Sequence, residues 1–481
     1  MKNLLKRSLA LLLAVLMLAA ISGCGKEPAA SHPNTDSDTS GGTTSGAAHV
    51  SQEFLDSLKG TQIKIAYPDK MRNPGQNPQD DEWAMLVNKV AKEYGVTIKE
   101  EYYTNKSNGA AFIADSLSGN NLGNIEIVYC DVVFRGVQKN AWANLDEAAK
   151  EAGIDFTAKH YYQPSMKATH ISGAHYGLSY KTQFIQTDAV YYNVNMVTVD
   201  NKLEDPLDLY NRGEWTFDKF EEYCKKLTKK DANGDISVYG CQLEANASIS
   251  VFVKANGGSL GRINADGKWQ QTLSDKKTLN GFNYIQKLFS QDQCIYVPSG
   301  SWGTSHKNLY AGSCAMQIGA VSSASDAYLQ QKDAGGMGFV PLPLGPDGTK
   351  DDLYKSSGGF YYVVPAAYQK DAAKYLFILD EISRRWYEQY PEIFKKQFTA
   401  IFKQDKYMDA FYGFITGDTL TGINEGALTL VSDSSGYSQT LLTMEIAKGV
   451  SVATAVDRFA TAMQNEQNDQ AGDTRYTGFG N

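Results

Sequence analysis

Between Ile125 and Cys130 the chain reads Ile-Glu-Ile-Val-Tyr-Cys, a run that is almost continuously apolar and only long enough for one strand. A strand with one solvated face alternates apolar and polar residues, whereas a run without alternation is covered on both faces, as in a parallel sheet flanked by helices. The preceding sequence supplies the companions such a strand needs. Gln62 to Tyr67 (Gln-Ile-Lys-Ile-Ala-Tyr) reads as a strand, and from Asp81 onward Trp83, Leu86, Val87, Val90 and Tyr94 recur on one helical face up to Gly95. Val96 to Tyr103 then reads as the next strand. Strand, helix and strand in this order form a βαβ unit, so the expected class is α/β with largely parallel sheets flanked by helices.

The part of the chain able to fold, residues 51–481, is too long for one hydrophobic core and predicts two lobes. Helical signals recur along it. Thr216 is placed to cap a helix with Phe217, Phe220, Cys224 and Leu227 inward and Lys225 to Lys230 at its end, before Asn233-Gly234 turns the chain. Leu279, Phe282, Ile285 and Phe289 mark another helix, and Val452, Val456, Phe459 and Met463 a third.

Ahead of this body, Lys2, Lys6 and Arg7 precede an apolar run from Leu9 to Ile21 that is too short to span a bilayer comfortably and ends in Ile21-Ser22-Gly23-Cys24. That is the layout of a secretory signal peptide. Ile-Ser-Gly-Cys resembles the lipobox of bacterial lipoproteins, which implies acylation of Cys24 and an anchor on the outer face of the cell membrane. Residues 25–49 are rich in Ser, Thr, Gly, Asp and Pro and lack bulky aliphatic side chains, so they cannot offset their ordering entropy and read as a tether.

Composition narrows the function. The formal charge is −8, and removal of residues 1–23 takes three cations with it, which argues against nucleic acid or anionic lipid as a partner. Apart from Cys24 there remain Cys130, Cys224, Cys241, Cys294 and Cys314, an odd set at irregular spacings with no disulfide framework and no zinc pattern, and no cofactor is expected. Two fragments imitate chemistry. Gly257-Gly258-Ser259-Leu260-Gly261 satisfies the GxSxG pattern of hydrolases, but His306 is the only histidine that follows it, so a Gly-rich turn is expected. Asp231, Asn233 and Asp235 fall at the first, third and fifth positions of a calcium loop. Ile236 stands where that loop needs glycine and Gln242 where it needs a bidentate glutamate, so an Asx turn is expected instead.

Six segments in order carry a family resemblance. They are His175-Tyr176-Gly177-Leu178-Ser179-Tyr180 with Val190-Tyr191-Tyr192-Asn193; Glu214-Trp215-Thr216-Phe217-Asp218-Lys219-Phe220; Ala255-Asn256-Gly257-Gly258; Tyr310-Ala311-Gly312-Ser313-Cys314-Ala315-Met316; Phe339-Val340-Pro341-Leu342-Pro343 with Gly345-Pro346-Asp347-Gly348; and Gly358-Gly359-Phe360 with Ala372-Ala373. Together they resemble the extracellular solute-binding proteins of ABC importers, in the carbohydrate-type group. The resemblance implies a non-catalytic two-lobe clamp that holds a small solute, a mono- or oligosaccharide, in the cleft and delivers it to a permease. A monomer is expected.

On this pattern residues 51–183 and 341–400 form the first lobe and residues 184–340 and 401–481 the second, with crossings near 180–189 and 338–341. The expected ligand contacts are Trp83, Asp131, Arg135, Tyr180 and Gln186 with Phe360 and Tyr361 on the first-lobe side, and Trp302, Gly319 and Ser322 on the other. Aromatic faces suit sugar rings, and a carboxylate after a strand end suits sugar hydroxyls. Strand alternation makes one of Phe360 and Tyr361 a core residue. The pattern departs at Val321-Ser322-Ser323, where maltose-type members carry a tryptophan platform, which keeps a non-sugar cargo open. A surface-anchored hydrolase is the competing function class.

Overall fold

The computed structural model describes residues 50–479, except 76–77, 104–108, 121, 183–185, 244–249, 297–301, 322–335, 357, 400, 417–419, 421 and 432–438; for 302–306, 439–441 and 443 it describes the backbone without the side chains. The proposed lipidation at Cys24 and the expected contact Ser322 lie outside the described residues.

Along the chain, β1 (Gln62–Tyr67), α1 (Pro78–Tyr94), β2 (Thr97–Tyr102), β3 (Ile125–Tyr129) and α2 (Cys130–Gln138) come first. Next are β4 (Asp188–Asn193), α3 (Phe217–Leu227), β5 (Ile236–Leu243), α4 (Ser250–Ala255), β6 (Gly261–Ile263), β7 (Trp269–Gln271), α5 (Lys276–Ser290), β8 (Ile295–Tyr296), β9 (Cys314–Ala320) and β10 (Met337–Pro341). The return comprises β11 (Lys355–Ser356), β12 (Phe360–Val363), α6 (Ala372–Phe398), α7 (Asp405–Ile415), β13 (Gly422–Ile423) and α8 (Val452–Ala471).

Two sheets organise the body. The first runs β12-β3-β1-β2, with β1 parallel to both β2 and β3 and β12 antiparallel to β3. The second follows the order β8-β5-β9-β4-β10, with β8, β5 and β9 parallel and β4 antiparallel to both β9 and β10. In β3 the first four residues are buried, as a strand covered on both faces requires. Trp83, Leu86, Val87 and Val90 bury one face of α1, which ends at Gly95, where φ is +66° and a side chain would be strained. Thr216 caps α3 by accepting from the Lys219 amide, and Phe217, Phe220, Cys224 and Leu227 are buried. All five described cysteines are buried free thiols.

The path between the lobes departs from expectation after β4. Residues 337–341 do not leave the second sheet: β10 pairs with β4 throughout, and the Leu344 and Gly345 amides donate to Trp215 and Ala255. The chain reaches the first sheet only after β11, at Phe360. Nor does the segment after residue 400 keep to the second lobe. The Tyr162 hydroxyl donates to the Gly422 carbonyl, and Tyr476 bridges Ile171 while its ring packs 4.5 Å from that of Phe134. Phe134 and Tyr476 share an apolar cluster with Trp269, Ile423, Leu428 and Leu430, so the hairpin β6-β7, the stretch around β13 and the C-terminal residues all pack on the α2 side of the first lobe.

Candidate functional site

In an α/β sheet, the carboxyl ends of parallel strands offer a crevice where side chains from different loops converge. In the first sheet those ends are Tyr67, Tyr102 and Tyr129. Antiparallel β12 starts at the same edge, with Phe360 registered opposite Tyr129. Their rings lie 4.0 Å apart, inclined by 35°, and both residues are half-buried. The next residues, Cys130 and Asp131, already belong to α2, so Asp131 sits in the first turn of a helix and not on a loop as its position after a strand suggests. Its side chain is 35 % exposed, and Arg135, one helical turn on, approaches it at 3.4 Å. Burial raises the Asp131 carboxyl above its ordinary range, against the pull of Arg135. Arg135 also donates to the Leu430 carbonyl, which ties α2 to the returning chain.

Other expected contacts lie elsewhere. Trp83 is fully buried: its Nε1–H donates to Glu100 at 3.0 Å, the Arg72 guanidinium lies 3.8 Å from its ring centre, and Trp386 meets it edge-on at 5.2 Å. It locks the loop after β1 and offers no face to solvent, because its inward stripe on α1 is a packing stripe. Tyr180 is also enclosed, stacked on Tyr161 at 4.9 Å, and Tyr361 is the core member of the Phe360-Tyr361 pair. Gln186 lies on the crossing, half-buried, with its amide on the Gly358 carbonyl. Gly319 is buried inside β9 opposite Ala189. Trp302 opens a helix, Trp302–Ala311, where the sequence suggested a loop, and its side chain is outside the described residues.

Tyr129 and Asp69 were missed as candidates. Asp69 follows β1 as Asp131 follows β3, is exposed, and adds with Asp131 to the upward push on the Tyr129 hydroxyl that burial begins. The rule that selected Asp131 selects Asp69 as well, and an aromatic residue ending a doubly covered strand marks Tyr129.

The imitations of chemistry resolve locally. The Ser259 Oγ lies 2.6 Å from the Gly261 carbonyl and 2.8 Å from Asn424 Oδ1 just before β6, a turn clasp and not a strand-to-helix nucleophile elbow. Asp231 accepts from the Asn233 and Asp235 amides at 2.8 and 3.0 Å, the Asx turn that competes with calcium. Among the described residues no group of three or more His, Cys, Asp or Glu could hold a metal ion, and no helix is long and apolar enough to cross a membrane.

Residues 75–378 match the family model for bacterial extracellular solute-binding proteins, more than half of the chain. The chain belongs to that family. No curated protein matches this solute-binding protein in sequence. Among solved structures it is similar to the GacH receptor of Streptomyces glaucescens, determined unliganded and with acarbose, at 16 % identity and a TM-score of 0.59 over 86 % of this chain and 99 % of that one. It is similar to UgpB from Mycobacterium tuberculosis in complex with glycerophosphocholine, at 16 % identity and 0.60 over 84 % and 98 %. It is also similar to the maltose/maltodextrin-binding domain MalE from Bdellovibrio bacteriovorus bound to maltotriose, at 18 % identity and 0.56 over 84 % and 99 %. At such identities the likeness establishes the shared two-lobe α/β fold.

Proposed function

We propose that this solute-binding protein captures a sugar between its lobes and presents it, unchanged, to the permease of an ABC importer, held at the outer membrane face by a lipid on Cys24. The observation that carries the reading is the Tyr129-Phe360 ring pair beside the Asp131 carboxylate at the strand ends of the first sheet. An aromatic face packs on the C–H face of a pyranose, and a carboxylate accepts from its hydroxyls. The structural relatives that hold acarbose and maltotriose support a sugar cargo.

A second reading keeps the clamp and changes the cargo. Val321 stands where the maltose-type pattern has a tryptophan, and rings beside carboxylates also suit a trimethylammonium group, as on the glycerophosphocholine bound by UgpB.

A thermal-shift panel of maltotriose, acarbose, monosaccharides, glycerophosphocholine and calcium separates the readings. A ligand that binds only the folded state adds about 2.7 kcal/mol at a hundred times its Kd. A rise in Tm with sugars alone supports the first reading, and a rise with glycerophosphocholine alone supports the second. Turnover of a glycan that is lost in Ser259→Ala would return the protein to the hydrolases.

A further inference from the structure

Lys254, in the last turn of α4, is only 2 % exposed, a rare state for a lysine. Its ammonium forms a long, buried ion pair with Asp188. Asp188 Oδ2 is 3.7 Å away, and the nearer contacts are neutral oxygens: Thr187 Oγ1 at 3.1 Å and the Lys355 carbonyl at 3.3 Å. Burial lowers the lysine's proton affinity and raises that of Asp188, so the arrangement costs stability that an apolar side chain of equal length would avoid. A charge kept at such a cost calls for a structural reason.

The partners supply one. Thr187 and Asp188 end the first crossing and start β4, while Lys355 belongs to β11, just before the chain regains the first sheet. The two segments are already linked, since Thr187 Oγ1 donates to the Lys355 carbonyl at 3.1 Å, the Gln186 amide to Gly358 at 3.1 Å, and Ser356 Oγ to the Gln186 carbonyl at 2.9 Å. A third segment lies alongside, with β13 paired to β11 and the Asn424 amide donating to the Ser356 carbonyl at 2.7 Å. Three passages between the lobes therefore run side by side, and one buried ammonium from the second lobe touches two of them. The Lys355 ammonium, a like charge, is turned to Asp352 at 2.7 Å.

We propose that Lys254 is the pin of the hinge: carried by the second lobe, its ammonium clamps residues 187–188 to Lys355 and so sets how far the cleft opens. It is a positioning residue and touches no cargo. The inference rests on the two-lobe clamp and not on which solute the clamp holds. Rotation of one lobe against the other is absorbed by a few backbone torsions in the crossings, and an ion held to both crossings by short contacts restricts those torsions.

The test uses the full chain without solute. Dyes on unnatural residues replacing Lys150 and Lys229, both exposed and one on each lobe, report the interlobe distance. Hydrogen exchange is read in parallel at the Gln186, Val321 and Asn424 amides. In Lys254→Met the distance distribution shifts or broadens and these three amides exchange at least tenfold faster, while the amides of β5 keep their protection. Thr187→Val, which removes one contact and leaves the lysine, moves both readouts in the same direction by a smaller amount and serves if Lys254→Met does not fold. Parent-like distances and exchange in folded Lys254→Met would overturn the proposal, as would exchange that rises equally at the hinge and in β5, which marks a merely structural lysine. Neither readout involves cargo, so the absence of a melting shift with every sugar would fault the sugar reading and leave this result standing.

Discussion

Replacement of Trp83 by alanine separates a packing residue from a ligand platform. Deleting a fully buried tryptophan costs about 3–5 kcal/mol through lost transfer energy and the cavity left behind. Here the deletion also removes the Nε1–H that Glu100 accepts at 3.0 Å and the ring beneath Arg72. Glu100 keeps the Tyr67 hydroxyl as a donor, so the polar loss is partial and a total of about 4 kcal/mol is expected. In a body of this size that lowers Tm by about 4 °C. Trp83→Phe retains most of the packing and loses the donor, for about 1–2 kcal/mol. The assay is chemical denaturation with a solute titration on each folded variant. Stability falls in the order parent, Trp83→Phe, Trp83→Ala, while affinity for the solute stays within a few-fold. A Trp83→Ala protein as stable as the parent, or one that is folded and no longer binds, would refute the placement of this ring in the core.

Phe360→Ala should give the opposite pattern, with at least a tenfold loss of affinity in calorimetry and a smaller drop in Tm than Trp83→Ala, because Phe360 is only half-buried. Gly240→Ala would place a methyl group 2.0 Å from the Cys224 carbonyl oxygen, a main-chain contact that cannot yield, so α3 must lift from β5; soluble yield should collapse, or Tm fall by more than any single methyl deletion would cause. The Glu101 carboxyl is held at about 2 by Lys64, Lys99 and Tyr103, below its ordinary 4.5. A lowered carboxyl pKa stabilises the fold above the ordinary value and loses that contribution as pH falls toward 2. Glu101→Gln should therefore be less stable than the parent by about 1 kcal/mol at pH 7, a figure kept small because the pair is near the surface, and should match the parent at pH 2 in denaturant titrations.

What the sequence conveyed was mostly local. The doubly covered strand at 125–129, the stripe on α1 and the Thr216 cap rest on periodicity and capping, which act within a few residues. The proposed ligand face was legible in part. Asp131 follows a strand end, yet it lies in the first turn of a helix where a loop was expected, and only the antiparallel entry of β12 brings Phe360 to Tyr129 across a separation of more than two hundred residues. Trp83 was ambiguous because an inward stripe looks the same whether it meets a core or a crevice; Arg72 above its ring and Trp386 at its edge decide the matter. The return of residues 422–430 and 476–479 to the first lobe depends on pairings such as Tyr476 with Gly267, which no local pattern encodes. Lys254 did carry a signal, a lone cation within Val251-Phe252-Val253-Lys254-Ala255, whose neighbours are all buried.

The most direct measurement is a calorimetric titration of the protein with the sugar that gives the largest melting shift, followed by chromatography of the recovered sugar. One site per chain and a sugar returned intact is the result expected of a clamp that captures and delivers. A shortened or rearranged sugar would contradict that account, and so would a full sugar panel that releases no heat.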